Sequence, residues 1–250
     1  MSSVADMIRL KHMPVAIYRA AAIPEGARVP SSGRCSVPPL FLLASKGHMT
    51  AAAKLDVKCH GALSGFGFGG IADRKRVTLK MSAIPEEYAD GLGHGGGRRE
   101  FDRPETAMLQ LDALPDYGDG EDCIVFEPYD NAKRRRASAE VVAVLADPFE
   151  ISALFGLAGY SRRAPGPAAV LQHGHACEQI YSIPRKEGES DEPRAVIGMT
   201  DLFARRFVDR DLLSFAAPYQ LWERMEFDAP HSFLSTERWE RIIAENDHKG

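Results

Sequence analysis

The sequence predicts an α/β or α+β fold: a single domain built on a mixed β-sheet with flanking helices. Three observations carry this expectation. Strand-like and helix-like segments alternate over most of the 250 residues, the pattern of helices layered on a sheet. The run Glu140-Val141-Val142-Ala143-Val144-Leu145-Ala146 is almost continuously apolar, as in a strand covered on both faces. Asp147-Pro148 follows it at once, an N-cap residue and a first-turn proline that open a helix running to about Gly159. No internal repeat accompanies these signals.

In chain order, residues 13–18 form a short strand, and Pro14 suits an edge or the start of that strand. Residues 24–33, rich in Pro and Gly, form a loop. Residues 38–46 read as a buried helix that ends at Gly47, because two prolines open it and few β-branched residues lie inside it. Residues 61–70 alternate glycine with large apolar residues and read as a loop or thin strand, and 77–81 as a strand. A flexible glycine-rich loop is expected at about 86–103, and a helix at 104–114 with proline near its start.

Beyond the midpoint, 123–127, 140–146, 168–172, 194–199 and 212–216 read as strands. Residues 176–183 read as a helix stopped by Pro184, 186–193 as a charged surface loop, and 219–227 as a helix after Pro218. Residues 236–246 form a terminal amphipathic helix with Trp239, Ile242 and Ile243 on one face.

Composition excludes some function classes. A net charge of −4 gives no global basis for binding nucleic acid or an anionic membrane, and the basic run Lys133-Arg134-Arg135-Arg136 reads as a solvated surface segment. No apolar stretch approaches the length of a membrane span. The first residues lack the basic start and apolar middle of a signal peptide, so a cytoplasmic location with reduced thiols is expected. Four widely spaced cysteines do not form a disulfide framework.

Three of those cysteines carry the functional signal. Cys35 precedes the helix at 38–46, where a helix N-terminus would lower its pKa. Cys59 leads into the glycine-rich tail. Cys177 closes His173-Gly174-His175-Ala176-Cys177. If that run is extended, positions 173, 175 and 177 point the same way, which suits a transition metal; if it is helical, only 173 and 177 share a face. Cys59 is a better ligand than its neighbour His60, because adjacent side chains in a strand point apart. Cys123 opens an apolar strand and reads as core. Gly65-Phe66-Gly67-Phe68-Gly69-Gly70 resembles a dinucleotide fingerprint only superficially, since no clear strand precedes it. It reads instead as a backbone wall near Cys59, with Gly65 and Gly67 as candidate cofactor contacts. There is no Walker loop, Gly-x-Ser-x-Gly elbow or His-Glu-x-x-His helix.

In order along the chain, Pro14 to Ile17, Cys35 with its apolar helix to Gly47, Cys59 with residues 61–70, Val141 to Val144 through Asp147-Pro148, Ala176-Cys177, Arg194 to Met199 and the strand ending at Pro218 resemble a bacterial and archaeal family, domain of unknown function 169. The resemblance covers roughly residues 10–225 and implies a shared fold and site position, not an activity.

Three functional expectations follow. In the first, Cys35, Cys59 and Cys177 converge on zinc or an iron–sulfur cluster, with His175 or an exogenous ligand in the fourth position. In the second, Cys59 or Cys35 is a nucleophile with His175 or His60 as its base. In the third, the protein is a small-molecule binding module without catalysis. The oligomeric state is not encoded in any motif here.

Overall fold

The computed structural model describes residues 2–29, 35, 37–57, 59–68, 78–79, 81–82, 100–114, 117 and 122–247. Its seven strands are β1 (Val15–Ala20), β2 (Thr50–Ala53), β3 (Cys123–Pro128), β4 (Val141–Ala146), β5 (Ala169–Leu171), β6 (Ala195–Gly198) and β7 (Leu213–Pro218). They form one sheet in the order β2-β3-β1-β4-β7-β6-β5. Only β5 and β6 pair in parallel; the other neighbours are antiparallel, so the sheet is mixed as expected. β1 lies inside the sheet, between β3 and β4, so Pro14 marks the start of a strand and not an edge.

The helices are α1 (Ser3–Ile8), α2 (His60–Gly65), α3 (Pro104–Asp112), α4 (Tyr129–Arg135), α5 (Pro148–Tyr160), α6 (Ile183–Glu187), α7 (Leu202–Arg205), α8 (Tyr219–Asp228) and α9 (Glu237–Asp247). Two π-helical turns, Pro38–Leu42 and Glu178–Ser182, add to them. The sequence signals for α3, α5, α8 and α9 hold. Within α9, Trp239 and Ile243 are buried whereas Ile242 is 38% exposed, so the buried stripe is narrower than expected.

The sheet separates two cores by strand periodicity. On β4, Val141, Ala143 and Leu145 face one core, and Val142, Val144 and Ala146 face the other. All six are buried, which explains the unbroken apolar run. The second core is closed by α1, α5, α8 and α9, through Ile8, Leu154, Trp222, Met225 and Trp239. The first core is closed by Val37, Leu40 and Phe41 before β2, Phe66 after α2, and Ile180 and Tyr181 of the second π turn. Cys35, Cys59 and Cys177 all belong to this first core.

Several local expectations are corrected. Residues 60–65 are helical, neither loop nor thin strand, and Thr78, Leu79 and Met81 are helical where a strand was expected. Pro184 does not stop its helix: α6 runs through it. A proline inside a helix lacks an N–H and crowds the carbonyl four residues back, and the wider π turn directly before it accommodates both. The elements β2, α1, α4 and α7 carry no strong periodicity. The basic run is the exposed last turn of α4, where Arg135 pairs with Glu127 at 3.2 Å. Most of the expected glycine-rich loop lies outside the described residues. Among the described residues, no helix is long and apolar enough to cross a membrane.

The start of α5 is the best-formed cap. Asp147 accepts from the Phe149 and Glu150 N–H groups, each at 2.9 Å, and the Glu150 carboxylate accepts from the Asp147 N–H at 2.8 Å. Burial opposes ionisation of Asp147, but its bonds to Lys11 and to these N–H groups hold its pKa below the ordinary 3.8. Because its folded pKa is lowered, the stability it contributes is complete above that ordinary value and is lost as pH falls through the lowered one. Asp147→Ala is expected to lower stability by about 1–2 kcal/mol near neutral pH. Chemical denaturation at pH 7 and pH 3 checks this; equal losses at both would contradict the cap's ionised role.

Candidate functional site

The site is assembled where α2 packs on the start of the second π turn. Cys59 is the N-cap residue of α2, and Cys177 is the N-cap residue of the Glu178–Ser182 turn. Gly61 and Gly65 lie four residues apart, on one face of α2. A β-carbon added at Gly65 would lie 2.5 Å from Cys177 Cβ and 2.8 Å from the Glu178 nitrogen; one added at Gly61 would lie 3.2 Å from the His175 ring. Glycine at these two positions is what lets the helix approach the His175–Glu178 segment. The space beside Gly65 is therefore taken by the chain's own atoms. The same holds at Gly67, where the backbone is left-handed (φ +68°) and the Tyr117 ring lies 2.0 Å from a built β-carbon.

Cys35 joins them from the segment before the first π turn. The three thiols lie close enough for their charges to interact. Burial pushes the Cys177 thiol well above its ordinary value, and the charges of Cys59 and Cys35 push it further. Burial also raises Cys35, outweighing the hydrogen bond from the Val37 N–H, and Cys59 adds to the rise. The lowered pKa expected for Cys35 from a helix start is thus corrected: desolvation dominates. Cys123 is buried at the start of β3, and its charged neighbours are Asp122 and Asp56, not the other cysteines. It belongs to the core, as its sequence context implied. Among the described residues, no three or more His, Cys, Asp or Glu side chains are arranged to hold a metal ion. The thiols are neighbours but do not form a closed cage.

The two histidines separate. His173 is exposed and stacks edge-on against Phe101 at 5.3 Å. His175 is largely buried, with Nδ1 2.7 Å from Glu178 Oε1 and Nε2 3.4 Å from Glu100 Oε2. Burial alone would lower its pKa, but the hydrogen bonds with Glu100 and Glu178 overcome this and raise it to about 10. It is an imidazolium at neutral pH, with both nitrogens engaged. Glu178 is fully buried and also accepts from Gln110 Nε2 at 3.3 Å.

Sequence reasoning missed two features. The first is this pair of carboxylates on His175; Glu178 three residues on was the available signal. The second is a partly buried polar cluster beside the same core. Glu140 accepts from Arg185 Nε at 2.6 Å, from the Tyr181 hydroxyl and from the Arg19 N–H. The Arg185 guanidinium lies 3.5 Å from the centre of the Tyr117 ring. Burial pushes Tyr117 up to about 12, against the lowering effect of Arg185. A charged Arg19 inside a strand was its only sequence trace.

A cavity of about 260 Å³ opens beside His175, bounded by Met81, Phe101, Thr200, Asp201 and Phe203. Asp201 ties it to the thiols: its Oδ2 accepts from the Ala176 N–H at 3.2 Å, and its charge raises the pKa of both Cys35 and Cys177.

The family model described as Uncharacterised ArCR, domain of unknown function 169, matches residues 3–228. No curated protein and no solved structure matches the chain.

Proposed function

The chain belongs to the domain of unknown function 169 family, whose description assigns no activity, and we propose from the site itself that it is a thiolate-based metal or iron–sulfur protein. One observation carries this reading: Cys35, Cys59 and Cys177 come from three distant segments yet meet in one core, each close enough to perturb another's charge. Cys35 and Cys177 resist ionisation in this apolar setting, because desolvation and the charges of the neighbouring thiols add together. A bound cation removes the repulsion, so metal uptake and proton release are coupled. Three thiolates with an open position suit zinc or a four-iron cluster, which would supply Lewis-acid or redox chemistry respectively. The π turns beside Cys35 and Cys177 support the reading, since such widened turns recur at functional sites.

Closing the ligand set requires the thiols to draw together as they lose their protons. An exogenous fourth ligand fits better than His175, whose two nitrogens are held by carboxylates. The same pairing argues against the nucleophile reading: an imidazolium with a pKa of about 10 is no general base at neutral pH.

The test is anaerobic purification followed by absorption spectroscopy and elemental analysis. A band near ~400 nm with stoichiometric iron identifies a cluster, and zinc without colour identifies a mononuclear site. Cys59→Ser is expected to abolish most bound metal, whereas Cys123→Ser leaves it intact. Equal metal content in the two variants would defeat the assignment.

A second reading, a small-molecule binding module without catalysis, is favoured by the cavity between His175 and Asp201.

A further inference from the structure

The cavity beside His175 combines features that select a ligand class. Part of its lining is apolar and aromatic: Met81, Phe101 and Phe203. At its mouth Leu202, the first residue of the short helix α7, is 84% exposed. A large apolar side chain exposed at a concave site is a mark of a binding surface. The same lining carries Asp201 and Thr200, together with the Glu100–His175 pair.

Asp201 is the selective group. Its Oδ1 accepts from the Phe203 N–H at 2.8 Å and its Oδ2 from the Ala176 N–H at 3.2 Å. Both donors are neutral backbone groups, and no cationic side chain among the described residues forms an ion pair with it. Each carboxylate oxygen keeps a lone pair for a further donor. The carboxylates on His175 differ, because Glu178 and Glu100 each already face one of its ring nitrogens, at 2.7 and 3.4 Å. The hydroxyl of Thr200 accepts from Gln179 Nε2 at 2.6 Å, which leaves its own proton for a ligand acceptor.

We propose that this cavity binds a small organic cation, a protonated amine on a compact apolar or aromatic body, with the ammonium at Asp201 and the body against Phe101, Met81 and Phe203. The ammonium meets a carboxylate that has no other cation, and the aromatic rings add cation–π attraction. An anionic ligand would face Asp201 unfavourably. A neutral isostere would gain only the apolar contacts. The inference rests on the small-molecule reading and is independent of whether the thiols hold a metal.

The experiment compares three probes of one shape on the full chain: 2-phenylethylamine, 2-phenylethanol and phenylacetate. Ligand-observed NMR and calorimetric titration at pH 7 give their affinities. The amine is expected to bind most tightly and phenylacetate not at all. Asp201→Asn should weaken the amine about fivefold, the size of one partly exposed ion pair, and leave the alcohol unchanged. Phe203→Ala, at a half-exposed position, should weaken both. Equal binding of amine and alcohol, or tighter binding of phenylacetate, overturns the cation assignment while the pocket stands. Binding of none of the three overturns the small-molecule reading as well. Repeating the titration on Cys59→Ser separates the two sites: unchanged amine affinity is expected, and its loss would show that the pocket depends on the thiol site and so overturn the independence claimed here.

Discussion

Replacing His175 by alanine is expected to lower the unfolding free energy by about 3–5 kcal/mol, the cost of leaving a buried charge without its partner. The charge is that of Glu178, which is fully buried and 2.7 Å from the His175 ring. Alanine would leave that carboxylate with the Gln110 amide and the His175 N–H as its remaining donors. The same variant loses the contact between the ring and Gly61 of α2, so the two cysteine-bearing segments separate. The wild-type protein carries a matching pH signature. With the folded pKa raised from the ordinary 6.5 to about 10, the stability contributed by His175 is complete below about 6.5. It declines as pH rises and is gone once pH passes about 10. Two-dimensional NMR of the imidazole and denaturation midpoints between pH 6 and pH 10 read both effects. An imidazole that titrates near 6.5 would refute the paired imidazolium.

Gly65→Ala is expected to cost about 2–3 kcal/mol, at the upper end of overpacking penalties. Two of the three atoms its β-carbon would meet belong to the backbone of Cys177 and Glu178, which cannot rotate away. α2 must therefore lift from the π turn, moving Cys59 from Cys177. Gly61→Ala meets the rim of a side-chain ring at 3.2 Å, so its cost should be smaller. Gly159→Ala, near the end of α5 with its nearest neighbour at 3.4 Å, should be neutral or stabilising, because alanine is the better helix former. Thermal unfolding of the three variants measures the ranking. A Gly65→Ala protein as stable as Gly159→Ala would show that α2 does not pack where it is placed.

The sheet was legible because its strands are short apolar runs of strong periodicity. β3, β4, β6 and β7 fall within two residues of their expected positions, and Asp147 caps α5 through the groups its sequence supplies. The helix at 60–65 was not legible, since glycine at 61 and 65 argues locally against a helix. Its helical form is favoured by packing: the two glycines face the His175–Glu178 segment, a contact that no local propensity encodes. Pro184 misled in the same manner, because the stop it signals locally is absorbed by a π turn buried against the sheet.

The sequence by itself determined a mixed sheet flanked by helices, the family, and three cysteines placed beside turns and helix starts. These follow from periodicity, capping chemistry and residue order, all of which act over a few residues. Only the tertiary structure decided that Cys35, Cys59 and Cys177 share one core while Cys123 does not. It also turned His175 toward two carboxylates, raised the pKa of Cys35 where a helix start alone suggested a lower one, and raised that of Cys177. Both outcomes depend on desolvation and on charges brought together from distant segments, and those quantities exist only once the chain has folded.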